Sequence, residues 1–395
     1  MKTVLAVAYG GGHIACLLPV IERLRARGDR VEVLALTTAA ATCADHGIPC
    51  RRFSDFPEVQ DARSRAHGQR LAAAQPAHPA VPSFESIAYL GANYRDLEDQ
   101  LGIDEAAKRF ATEGRQAFLP IASLTTIIRA FKPDAVLTTS APRAERAAVL
   151  AARQAGIPAV VVVDLFALSE QDYLKDPAFG DVVCVLSGAV RDFLISLGRP
   201  AAQIRVTGNP VFDRLGDPQL AARAAALRRE RGWEGTQVIT WASQPEPAQP
   251  DLPRRIERAL QAALVDHPTW RLVLRPHPSD QFTLPMATSQ LVISTRADHL
   301  HTLLAASDCV VTMTSTVGLE AALLGRPLVT WDRSQNTASC PYSRMGMSLG
   351  VTELSGLAPA LATALAGGAP KPALPAIGRG AEGVVAALDG LNVNR

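Results

Sequence analysis

Apolar residues come in short runs along this chain, and between the runs they return every three or four positions. TVLAVA at 3–8 is one such run. The turn Tyr9-Gly10-Gly11-Gly12-His13 follows it, and then residues 14–27, whose Leu17, Leu18, Ile21 and Leu24 share one helical face. Gly28 closes that helix and 30–36 is a second run, so the chain opens with a strand–helix–strand unit whose first turn is glycine-rich. Uninterrupted runs of this length suit a parallel sheet buried on both faces. The same pattern predicts strands at 135–138, 159–164, 181–186 and 204–207. It predicts helices at 39–47, at 83–129 with a break near Gly102, at 144–154 and at 189–197.

A second series starts after an Arg/Ala-rich helix that ends at Gly232. It predicts strands at 237–242, 272–274 and 309–312, with helices at 253–265 and 297–304. Helices at 357–366 and 381–391 close the chain, joined by a Pro/Gly/Ala linker at 367–380. The expectation is an α/β protein with an N-terminal Rossmann-like domain over 1–212, a C-terminal one over 213–376, and a linker and helix over 377–395. One stretch breaks the pattern. Residues 57–82 are rich in Ala, Gln, Arg, His and Pro with weak periodicity, which predicts a long mobile surface insertion able to close over a substrate. His67 and His78 lie there and read as solvated.

The most informative stretch runs from Arg271 to Asp332, RLVLRPHPSD and then ASDCVVTMTSTVGLEAALLGRPLVTWD. After the run at 309–312 come Thr314, Ser315, Thr316 and Gly318, then Glu320 on an Ala/Leu helix. A strand feeding a helix N-terminus with hydroxyls and a glycine offers free backbone N–H groups and the positive end of the helix dipole, a match for phosphate. Ser315 and Thr316 read equally well as ordinary N-caps. Glu320, about one turn in, is within reach of a ribose diol. Ser243 and Gln244 form a polar loop after the strand at 237–242, and Arg275 and His277 end the strand at 272–274.

In the first half, the sequence GGGH is neither GxGxxG nor a P-loop with its lysine. Gly10, Gly11 and Gly12 do permit close approach of a ligand to the backbone. His13, at the mouth of that turn, is a candidate base, or a helix-start histidine bonded to backbone. Asp164 ends a predicted parallel strand, where open α/β sheets keep their ligand crevices, and it also suits a helix cap.

Composition narrows the classes. A chain of 395 residues with 48% hydrophobic and 20% charged residues is globular, and long enough for two cores. A formal charge of +2 and 5% aromatics exclude an extended nucleic-acid surface. The six cysteines show no metal-ligand spacing, which suits a reducing cytoplasm. The apolar run at the N-terminus is too short to span a membrane, which leaves peripheral contact with the inner membrane face open.

Three segments resemble the GT-B superfamily of nucleotide-sugar glycosyltransferases and the related UDP-N-acetylglucosamine 2-epimerases. AYGGGHIACLLPVIERLRARGDRVEVL looks like the opening glycine loop of the enzymes that add N-acetylglucosamine to lipid I. VTGNPVFDRL is similar to the interdomain segment of those enzymes and of the epimerases, and MTSTVGLEAALLGRPLVTWD to the donor-phosphate loop and helix of the superfamily. The His-Pro pair at 277–278 is similar to that of CMP-sugar transferases such as those for Kdo and sialic acid.

The resemblance implies two Rossmann-like open-sheet domains facing a central cleft. It implies a nucleotide-sugar donor, UDP- or CMP-linked, held in the C-terminal domain by Ser243, Gln244, Arg275, His277, Ser315, Thr316, Gly318 and Glu320. It implies a glycan, lipid-linked or small-molecule acceptor facing the N-terminal domain, no cofactor and no catalytic metal. For inverting transfer, His13 and then Asp164 are the candidate bases. Two alternatives stand beside this. A 2-epimerase is disfavoured by TSAPRAE and VVVDLF, which depart from the acidic pattern of that family. The other is a non-catalytic nucleotide-binding scaffold.

Overall fold

The computed structural model describes residues 1–277, 279, 285–295 and 297–391. The proline of the His-Pro pair therefore lies outside the described residues. The chain forms two compact units. One comprises Met1–Asp213 together with the segment from Arg379 onward, and the other Arg214–Gly378.

The first unit is built on six parallel strands: β1 (Thr3–Ala8), β2 (Arg30–Ala35), β3 (Ala135–Thr139), β4 (Ala159–Val162), β5 (Val182–Val185) and β6 (Ile204–Val206). Their order in the sheet is β2-β1-β3-β4-β5-β6. β3 and β4 are buried along their whole length; β4 is apolar throughout, and β3 is apolar up to Thr138 and Thr139 at its carboxyl end. The order reverses between β1 and β3, so the chain leaves these two neighbours in opposite directions and opens a crevice at their carboxyl ends. The core below holds Ile14, Leu17 and Ile21 of the helix Gly11–Ala26. It also holds Val384, Leu388 and Leu391, from the helix Gly380–Asp389 and the residues after it. That terminal helix is thus part of the first unit, although the whole second unit precedes it in sequence.

The second unit repeats the plan with a different order. Its strands are β7 (Gln237–Ala242), β8 (Trp270–Arg275), β9 (Leu291–Ile293), β10 (Cys309–Thr312), β11 (Leu328–Trp331) and β12 (Leu349–Val351). They line up as β12-β11-β10-β7-β8-β9, all parallel. Here the reversal falls between β7 and β10, and the loops after those two strands border the crevice.

The stretch expected to be a loop at 57–82 instead carries a helix, Ala62–Ala73. Asp61 caps it by accepting the Ser64 N–H at 2.7 Å. Its buried residues are Ser64, Gly68 and Leu71. Two of the three present no apolar side chain, so hydrophobic periodicity does not reveal the helix. It packs backbone to backbone on the helix Ser83–Leu101. A Cβ on Gly68 would come within 2.1 Å of the Ile87 carbonyl oxygen, and one on Gly91 within 2.0 Å of the Ser64 carbonyl oxygen. His67, expected to be solvated, is largely buried and pairs with Glu98 at 2.9 Å. No helix among the described residues is long and apolar enough to cross a membrane.

Candidate active site

At the carboxyl end of β1 the chain turns through Tyr9 and Gly10 into the helix that begins at Gly11. Gly11 must be small, because a Cβ there would lie 2.9 Å from the Thr42 hydroxyl, whereas Gly12 faces open space. The loop is fastened by its polar groups. Gly11 N–H donates to Thr38 Oγ1 at 3.0 Å, and Tyr9 N–H donates to Glu145 Oε1 at 2.6 Å.

Glu145 stands in the first turn of the helix Ala144–Gln154, just after β3. Because β1 and β3 are neighbours, its side chain reaches across the reversal of strand order to the glycine loop. The same Oε1 lies 2.9 Å from His13 Nδ1, and the Glu145 side chain is fully buried. A carboxylate acceptor on Nδ1 fixes the proton there and leaves Nε2 with the lone pair. Nε2 lies 3.9 Å from Asp164 Oδ2 at the end of the β4 segment. The sheet thus brings His13 and Asp164 together and adds Glu145, which the sequence reading had not singled out.

The electrostatics of the cluster follow from this geometry. Burial by itself would lower the His13 pKa, but the Glu145 hydrogen bond and the charges of Glu145 and Asp164 outweigh it, with Arg143 opposing, and the net is a rise above 6.5. Asp164 is pushed up to about 7, first by burial and then by Glu145 and Glu170, against the pull of His13. Glu145 Oε2 is buried and, among the described residues, has no hydrogen-bond partner, while the Cys16 thiol is hydrogen-bonded to the Asp164 carboxyl and pulls its pKa down. Asn209, from the VTGNP segment, donates to the Asp164 carbonyl at 2.8 Å and so holds the backbone that carries this carboxyl. Arg143 lies over the Tyr9 ring, 4.1 Å from its centroid.

In the second unit the loops after β7 and β10 meet. Gln244 Oε1 accepts Thr314 N–H and its Nε2 donates to Thr314 Oγ1, both at 2.9 Å. Ser315 caps the helix Thr316–Leu323 by accepting Val317 N–H. Tyr342 Oη donates to the Ser315 carbonyl at 2.8 Å. Gly318 packs beneath, where a Cβ would stand 2.9 Å from Thr312 Cγ2 and 3.4 Å from the Tyr342 ring. A cavity of about 380 Å³ opens beside this helix start, lined by Ser243, Arg275, His277, Ser315 and Val317 among others.

Four of the eight donor-site residues read from the sequence therefore line one cavity. The other four do not. Gln244 braces the loop, Thr316 is exposed as the first helical residue, Gly318 supplies packing space, and Glu320 is buried. Arg275 is already engaged: its Nη1 donates to Ser294 Oγ at 2.9 Å and to the carbonyls of Thr295 and Asp298. It ties down the segment after β9 as well as lining the cavity. His277 Nδ1 is 2.7 Å from Ser279 Oγ. Glu320 Oε1 accepts Arg214 Nη2 at 2.8 Å and faces His301 Nε2 at 3.4 Å. Burial would raise the Glu320 pKa, but those two partners hold it below the ordinary carboxylate value.

Two open parallel sheets, each with polar loops at the reversal of strand order, define a GT-B-like protein. The chain belongs to the glycosyl transferase 4-like domain family, which matches residues 11–210. Residues 250–336 match the capsule polysaccharide biosynthesis protein family. Among solved structures, the chain is similar to the UDP-GlcNAc 2-epimerase of Neisseria meningitidis, at 14% identity over 98% of this chain and 100% of that one, with a TM-score of 0.61. It is similar to the UDP-GlcNAc 2-epimerase of Methanocaldococcus jannaschii at 12% identity, over 98% and 99% of the two chains, with a TM-score of 0.59. It is also similar to a structure described as the glycotransferase of kitacinnamycin, at 15% identity, over 98% and 95%, with a TM-score of 0.54. At such identities the likeness is one of fold. No curated protein matches the chain.

Proposed function

We propose that the protein is a nucleotide-sugar-dependent glycosyltransferase with an inverting, metal-independent mechanism, acting in polysaccharide or glycoconjugate assembly. The observation that carries this reading is the buried Glu145 carboxyl on His13 Nδ1, in a unit that belongs to a glycosyltransferase family. His13 Nε2 takes the proton of the acceptor hydroxyl as its oxygen bonds to the anomeric carbon. The bond from that carbon to the donor phosphate breaks, and the electron pair leaves with the nucleotide. Glu145 orients the imidazole and stabilises the imidazolium. The leaving phosphate meets the positive end of the Thr316–Leu323 helix and the Ser243 and Ser315 hydroxyls, where negative charge develops. Glu320, buried and paired with Arg214 and His301, lies behind the cavity and braces the helix rather than meeting the donor.

Asp164 favours a second reading. A carboxyl pushed up to about 7 beside a histidine is a proton donor–acceptor pair, which a sugar-nucleotide 2-epimerase also requires. One experiment separates the two. The protein is incubated with UDP-GlcNAc in D₂O, with no acceptor. An epimerase exchanges the C2 proton for deuterium; a transferase leaves C2 protonated. Melting-temperature shifts with UDP and CMP, with and without EDTA, then name the donor class. The expected result is no exchange and a selective shift that EDTA does not change. Deuterium at C2 overturns the transferase reading, and an EDTA-sensitive shift overturns metal independence.

A further inference from the structure

Beside the glycine loop the first unit holds a second cavity, of about 260 Å³, which none of the residues above explains. Its size is close to the lower end for small-molecule sites, roughly 300–1,000 Å³. Most of its exposed lining is apolar, with Val81, Ile87 and Leu90 among the walls. Tyr9 forms one end, and the Tyr9 ring is 6.5 Å from that of His13, centroid to centroid. The cavity therefore adjoins the base proposed above.

Three features mark it as built for a ligand. Tyr89 is buried in its wall; its hydroxyl faces that of Tyr9 and, among the described residues, makes no hydrogen bond of normal geometry, and its charged neighbours are Arg143 and Arg115. Thr37, also in the lining, is held at φ +53°, a left-handed conformation costly for a β-branched residue, with its hydroxyl donating to the Tyr9 carbonyl. Arg115 lines the cavity as well, bonded to the neutral Gln75 side chain, and no carboxylate is among the lining residues. This lining joins an apolar wall and a rim of hydroxyls to an arginine that has no carboxylate beside it in the lining.

We propose that this cavity receives the acceptor, and that the acceptor is an anion with an apolar body. Its carboxylate or phosphate pairs with Arg115, its apolar part fills the space under Tyr89, and its reacting hydroxyl lies at the Tyr9 end beside His13. The proposal rests on the transferase reading for the identity of the ligand as acceptor, but not for its binding.

The test is titration calorimetry on the full chain without any donor. The probes are 6-hydroxy-2-naphthoate, the neutral 2-naphthol with the same ring body, and geranyl phosphate. At least one anion should bind about tenfold more tightly than 2-naphthol, as a charge-assisted contact requires. The anion that does so separates an aromatic carboxylate from a lipid phosphate. Arg115→Gln should erase the preference for the anion while 2-naphthol still binds. Ser86→Trp, which fills the cavity from its half-buried lining position, should abolish binding of all three, with circular dichroism checking that it folds. Equal binding of 2-naphthol and both anions, no binding at all, or a preference that survives Arg115→Gln overturns the proposal. Binding as expected with no sugar transfer to any acceptor overturns the transferase reading and leaves the cavity assignment standing.

Discussion

The two sheets place opposite chemistry at equivalent positions. Where strand order reverses in the first unit, between β1 and β3, the loops carry His13, Glu145 and, one strand further, Asp164, a cluster of one imidazole and two carboxyl groups. Where it reverses in the second, between β7 and β10, the loops carry hydroxyls, an amide and a helix start, with Arg275 alongside. In the first set His13 is raised above 6.5 and Asp164 is pushed up to about 7, which suits proton transfer. The other offers fixed hydrogen-bond donors and suits a ligand that is already negative. A shared sheet plan does not decide function; the side chains grafted at the reversal do.

That contrast can be broken from either side. The largest effect is expected for His13→Ala, which should lower turnover by about 10²- to 10⁴-fold while nucleotide affinity, measured by calorimetry, stays unchanged. Equal losses in both would mean that His13 acts through the fold. Gly318→Val should do the reverse. Its side chain would press on Thr312 and Tyr342 beneath the helix start, a cost of about 1–3 kcal/mol, so nucleotide affinity should fall by about tenfold or more.

Glu145→Gln sharpens the first half of the contrast. The His13 pKa is raised above 6.5, so activity limited by neutral imidazole should rise with pH through a midpoint above 6.5. Removing the Glu145 charge should move that limb to lower pH and cost about tenfold in turnover, read from a kcat/KM–pH profile. The same linkage bears on folding. The stabilisation of protonated His13 by Glu145 is fully present below the unfolded value near 6.5 and is lost as pH rises through the raised folded value. Wild type should therefore lose its stability advantage over Glu145→Gln across that window in urea titrations. The smallest effect is expected for Ser315→Ala, which removes an N-cap worth about 1 kcal/mol and should weaken nucleotide binding about fivefold with no change in the pH profile.

The repeating strand–helix pattern is legible because each β-run is mostly apolar with few polar interruptions: β1, β7 and β10 fall where the sequence alone puts them. What escaped depends on contacts between distant positions. Glu145 lies 132 residues from His13, and only the adjacency of β1 and β3 brings them within 2.9 Å. Arg214 and Glu320 are separated by 106 residues, so a carboxylate read as free for a ribose proves to have an arginine on one oxygen. The helix Ala62–Ala73 escaped for a local reason, a buried face made of Ser64, Gly68 and Leu71.

The terminal helix has a consequence for synthesis. Asp213 accepts the Gly380 and Ala381 N–H groups at 2.8 Å and caps it, and Lys2 Nζ donates to the Leu388 carbonyl at 2.9 Å. The first unit thus needs residues made after all of the second. On the ribosome, the unit that begins first must wait with part of its apolar core uncovered, while Arg214–Gly378 can complete its own core earlier. For anyone exchanging second units between proteins of this fold, the fragment to splice is the internal stretch 214–378, with both flanking ends kept from the same parent.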